Sequence, residues 1–142
     1  CAEADRGARV YVKLHPNQSK PARRHIMAIC ADYLNVKISD ASIHDLNEAS
    51  RVVVTQNSAA GFEALMQKKP VITCAKSDYW HATLSARTAA DLGEALDLGA
   101  QAMADFDYEK YLYWFLDRNC LEPQKDVFGK RAWAKIKDKA FL

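Results

Sequence analysis

Two stretches of the chain combine residue types and spacing suited to holding a phosphate. In the first, Val12-Lys13-Leu14-His15-Pro16, an imidazole follows directly on an extended apolar run. In the second, Thr55-Gln56-Asn57-Ser58-Ala59-Ala60-Gly61-Phe62-Glu63, a polar turn opens an amphipathic segment. A histidine ring N–H donates to a phosphate oxygen. A serine just before a helix caps it, and the helix start presents free backbone N–H groups and a partial positive charge to any anion that arrives. On this reading Lys13 raises the potential beside His15, Ala59 and Ala60 offer their amides, Gly61 admits a close approach at the first turn, and Glu63 reaches a sugar hydroxyl. A plainer reading fits the residues as well. Ser58 then only caps, Gly61 only packs, Glu63 only answers the helix dipole, and His15 closes a turn.

Several elements must position these residues. Val52–Val54 and Pro70–Thr73 are short apolar runs separated by the helical period of Ala59–Lys68. That is a βαβ unit with buried parallel strands. Upstream, Ala8–Leu14 reads as a strand stopped by Pro16, and Pro21 opens a helix to Leu34 whose apolar face is Ile26, Ile29, Cys30 and Tyr33. Arg23, Arg24 and His25 lie at its start. Val36–Ser39 is a further strand and Ile43–Ala49 a short helix. The alternation predicts an α/β fold, a Rossmann-like parallel sheet flanked by helices, with His15 and Ser58 on one carboxyl edge. Ala75–Thr88 is then a loop on the ligand side, where Tyr79, Trp80 and His81 flank a base or sugar, and helices follow over 89–104, 108–120 and 127–142.

At 142 residues with 49% apolar content, the chain fits one domain over 1–142, its final helices spanning 89–142. It opens on Cys1 and enters a strand almost at once, so a fragment of a longer two-domain protein is expected. There is no secretory leader and no apolar run near the length of a membrane span, so the cytoplasm is the expected location. Cys1, Cys30, Cys74 and Cys120 are too scattered for a zinc site or a disulfide framework, so no metal is expected. A net charge of +2 with no interleaved arginines and aromatics argues against nucleic acid as a partner. The positive excess is local, in Lys125, Lys130, Arg131, Lys135, Lys137 and Lys139. With Phe128, Trp133, Ile136 and Phe141 they make a basic amphipathic helix, which either packs back over the domain or touches the inner face of the cytoplasmic membrane peripherally.

Taken in order, VKLHP, then VVTQNSAAGFEALMQKKPVIT, then DYWHATLSART resembles the nucleotide-binding half of the capsule polysaccharide biosynthesis glycosyltransferases, relatives of the Kdo transferases. The resemblance covers Val10 to Leu96. It implies one half of a GT-B architecture, gripping a nucleotide-sugar donor such as CMP-Kdo with no further cofactor. It implies that His15 and Ser58 meet the donor phosphate and act in catalysis. Lys13, Gln56, Asn57, Ala59, Ala60, Gly61, Glu63, Tyr79 and His81 are then the other donor-site residues. The glycan or glycolipid acceptor would bind through a second domain, which would also supply the activating acid; within this chain only Asp78 and Asp91 compete for that role. Two other readings stand beside it: a non-catalytic nucleotide- or phosphosugar-binding module, and half of a UDP-sugar epimerase-like enzyme.

Overall fold

The computed structural model describes residues 7–124 and 126–140, so the expectations that fall on Cys1, Lys125 and Phe141 lie outside the described residues. The chain divides into two compact units, Cys1–Asp105 and Phe106–Leu142. In the first, strands and helices alternate: β1 (Val10–Val12), α1 (Lys20–Ala31), β2 (Val36–Ile38), α2 (Ile43–Ala49), β3 (Val53–Thr55), α3 (Ala59–Met66), β4 (Val71–Thr73), β5 (Leu84–Ser85) and α4 (Ala89–Ala102). The second holds α5 (Tyr108–Asn119) and α6 (Phe128–Ala140). The expected α/β, Rossmann-like alternation of parallel strands and helices is present.

All the pairings are parallel, but they form two ladders. β1 pairs with β2, Val10 opposite Val36 and Val12 opposite Ile38. β3, β4 and β5 make the other, with Val53 opposite Val71 and Ile72 opposite Leu84. His15 and Ser58 therefore follow strands of different ladders, and among the described residues no ladder joins β1 to β3. The strand β5 was not legible either. It is two residues long, too short to show an alternation, and its pairing is set by the neighbour β4.

The core belongs to the second ladder. Leu65, Val71 and Ile72 are fully buried, and Ile72 clusters with Ala86 and Ala95 under Val52, Val54, Leu84, Leu92 and Leu96. Each such aliphatic side chain contributes about 2 kcal/mol of burial. The β4 run is buried on both faces, which is why its sequence does not alternate with charged residues; its one polar member, Thr73, is paired with the Thr83 hydroxyl. α1 packs more loosely than its sequence suggested. Ile29, expected on its inner face, is half exposed, and Tyr33 falls beyond the helix end.

Backbone carbonyls at the end of α2 would be left open without help from a side chain. Lys69, in the turn between α3 and β4, donates to Glu48 O at 2.6 Å and Ser50 O at 3.2 Å. Gln67 Nε2 donates to His44 O at 3.4 Å on the same seam. A charged donor on two carbonyls contributes more than a neutral one. Replacing Lys69 by Met should therefore lower the unfolding free energy by about 1 to 2 kcal/mol in urea titrations; an unchanged midpoint would remove this link between α2 and the βαβ unit.

Candidate functional site

Ser58 is the N-cap of α3, extended at φ −72° and ψ 146°, and its Oγ accepts from Ala60 N at 3.2 Å. Thr55 Oγ1 in turn accepts from Ser58 N at 3.3 Å, and Ser58 O accepts from Gly61 N at 3.0 Å. The turn from β3 into α3 is thus held from both sides by local bonds, a pattern that serine and threonine favour at such corners. Of the two amides expected at an anion, the Ala60 N–H is already taken by the cap. The Ala59 N–H has no acceptor among the described residues, and Ala59 is exposed. The Ser58 hydroxyl accepts through a lone pair and keeps its proton for an external oxygen.

Gly61 is buried for a reason other than ligand approach. A Cβ there would sit 2.5 Å from Tyr79 Oη and 2.9 Å from Thr55 Cγ2. The Tyr79 hydroxyl donates to Ser58 O, and its ring lies 6.0 Å from that of Phe62, tilted by 54°. Tyr79 is only 5% exposed, so it clamps the first turn of α3 and is not the open stacking surface that the sequence suggested. Burial raises its phenol above the ordinary tyrosine value, so it remains a donor through neutral pH. The exposed aromatics of this loop are its neighbours. Trp80 is 45% exposed, and His81 meets it edge-on at 6.2 Å. A hydroxyl relay fixes that corner: Thr83 Oγ1 donates to Trp80 O at 2.8 Å and lies 2.8 Å from the buried Thr73 Oγ1.

At the other strand end, His15 Nδ1 accepts from Asn17 N at 3.1 Å, while His15 O accepts from Gln18 N at 3.1 Å. The turn-closing role is real. It leaves the neutral ring protonated on Nε2, which makes Nε2–H the donor toward solvent. No hydrogen bond joins His15 to Ser58. The Lys13 ammonium is engaged by backbone: it donates to Asp40 O at 3.1 Å and Ala41 O at 2.6 Å, tying the end of β1 to the loop after β2.

The remaining expected residues divide. Gln56 and Asn57 are exposed on the turn, and Gln56 O accepts from Ala75 N at 3.1 Å. Glu63 is half buried and lies beyond the first turn of α3, so it does not answer the dipole at the cap. Asp91 is spent on structure. Its Oδ2 accepts from Arg87 N at 2.8 Å and Thr88 N at 2.9 Å, closing a capping box on α4 with Thr88. Those backbone bonds hold its carboxyl below the ordinary value, a poor state for a proton acceptor. Asp78 is exposed. Among the described residues no three His, Cys, Asp or Glu side chains cluster so as to hold a metal ion. Thr55 reads in the sequence only as part of the polar turn, although a threonine three residues before a cap serine is a readable signal for the bond it makes.

Parallel strands alternating with helices, with a capped helix N-terminus after β3, define a Rossmann-like α/β protein. The family described as capsule polysaccharide biosynthesis protein matches over residues 1–95, and the chain belongs to that family. No curated protein and no solved structure matches the chain.

The packing of Tyr79 on Gly61 gives a direct test. Gly61→Ala should cost about 1 to 3 kcal/mol by overpacking. In a Tyr79→Phe background, where the hydroxyl is gone, the cost should shrink measurably in a double-mutant cycle. Equal costs in both backgrounds would mean that Tyr79 does not press on this turn.

Proposed function

We propose that this chain carries the donor-binding part of a glycosyltransferase of capsule or lipopolysaccharide synthesis, and that the donor is a CMP-activated sugar such as CMP-Kdo. The observation that carries the reading is the start of α3. A cap serine with a free proton and an exposed, unaccepted Ala59 N–H stand where a helix dipole favours an anion, in a chain of the capsule polysaccharide biosynthesis family. Three donors then serve the donor phosphate: Ala59 N–H, the Ser58 hydroxyl and His15 Nε2–H, the last brought in from the other ladder. Gln56 and Asn57 shape the turn, and Trp80 with His81 offers the exposed surface for base or sugar.

The chemistry is electrostatic. As the glycosidic bond to phosphate breaks, negative charge grows on the departing nucleotide, and donors already aimed at it stabilise the transition state more than the ground state. In the full transferase, losing the Ser58 contact should slow transfer by about 10²-fold. Of the two carboxylates that compete for acceptor activation, Asp91 is bound into a helix cap and Asp78 lies exposed in the loop after β4. The glycan or glycolipid acceptor and its base belong to another domain, and the chain alone binds donor without transferring it. That same use of Asp91 favours, as a second reading, a binding module without catalysis.

Calorimetric titration with CMP, UMP and UDP tests the proposal. CMP should bind best, and Ser58→Ala and His15→Ala should each weaken it about tenfold, the loss of one charge-assisted hydrogen bond. Preference for UDP would point instead to a UDP-sugar enzyme of the epimerase kind or to a UDP-sugar transferase. Unchanged affinity in both variants would remove the proposed phosphate site.

A further inference from the structure

The helix α6 carries five basic residues, Lys130, Arg131, Lys135, Lys137 and Lys139, against one acid, Asp138, in 13 residues. One of its faces is committed to α5. Arg131 Nη2 pairs with Asp117 Oδ1 at 3.3 Å, and Lys135 Nζ donates to Asp117 O and, at 2.8 Å, to Cys120 O. A second face is apolar and uncovered. Gly129, Trp133, Ile136 and Ala140 follow the i, i+4, i+7, i+11 spacing of one stripe. Trp133 is 56% and Ile136 52% exposed.

Cations border that stripe on both sides. Lys130 and Lys137, seven residues apart, share one flank, and Lys137 Nζ stands 5.5 Å from the centre of the Trp133 ring. Lys139 lies toward the other side, where it donates to Asn119 Oδ1 at 3.1 Å. An open cleft of about 420 Å³ between α5 and α6, lined by Ala132, Ile136 and Ala140 beside Lys135 and Lys139, continues the apolar surface toward α5.

We infer that α6 is an anchor that lies flat on an anionic lipid surface. Protein interfaces are depleted in lysine, whereas this stripe is fringed by it. A tryptophan and an isoleucine edged by Lys130 and Lys137 suit the boundary of headgroups and acyl chains, where the aromatic ring sits at headgroup depth and the ammonium groups meet lipid phosphates. The helix is about 20 Å long, and no helix among the described residues is long and apolar enough to cross a membrane, so the contact is a surface one. The inference does not rest on the nucleotide reading.

The experiment is sedimentation of the 142-residue chain with vesicles of phosphatidylcholine, with and without 30% phosphatidylglycerol, at low and high salt. The chain should pellet with the anionic vesicles only, and high salt should release it. Neutralising Lys130→Gln together with Lys137→Gln should weaken partitioning about 25-fold, about fivefold per charge. Trp133→Ala should weaken it as well and abolish the blue shift of tryptophan emission on binding. Unchanged far-ultraviolet circular dichroism establishes that the variants remain helical, and CMP affinity should be unaffected in all of them. Three outcomes would overturn the inference: no pelleting, equal pelleting with neutral vesicles, or a dimer that Trp133→Ala dissolves in a chain indifferent to lipid.

Discussion

The attachment of the first turn of α3 to the end of β3 is the constraint on which the proposed chemistry depends. A helix start offers an anion site only if its position and direction are fixed before the anion arrives. Here the fixing is done without ligand. Val53 and Val54 are held in register against Val71 and Ile72, Thr55 receives the Ser58 amide, and Tyr79 reaches across from the following loop to the Ser58 carbonyl. Gly61 exists at that turn because the tyrosine occupies the space of its side chain. The result is a corner whose donors are oriented by a half-buried strand, β3, paired with the fully buried β4, before any ligand arrives.

That corner also explains why the loop after β4 divides its aromatics. Tyr79 faces inward and is consumed in holding α3. Trp80 faces outward with His81, its carbonyl anchored by Thr83, which leans on the buried Thr73. Adjacent positions in one short turn thus serve stability and exposure separately. A base or sugar stacked on Trp80 would meet a ring whose backbone is already tied down, so little ordering would be needed on binding.

Much of the first unit was legible in the sequence, because its signals are local. Val-rich runs with serine and threonine caps between them marked β1 to β4, the helices between them and the capping role of Ser58, the ends shifting by up to three residues. Several of the differences are cases where a distant partner decides. Nothing in the spacing of Lys13 says that Asp40 and Ala41 carbonyls await it, and nothing in a Tyr-Trp-His run says which ring turns inward. The split into two ladders is likewise a matter of pairing between strands, which periodicity cannot report. Asp91 is the opposite case, since Thr88 three residues before it already spelled a capping box.

The central claim is that an anion sits at the start of α3, and amide-resolved NMR during a CMP titration tests it most directly. The largest shifts should fall at the backbone N–H of Ala59, with smaller ones at Asn57 and Ser58, and a change at the His15 ring. Saturable binding whose shifts spare residues 57–60 and gather elsewhere in the chain would contradict it.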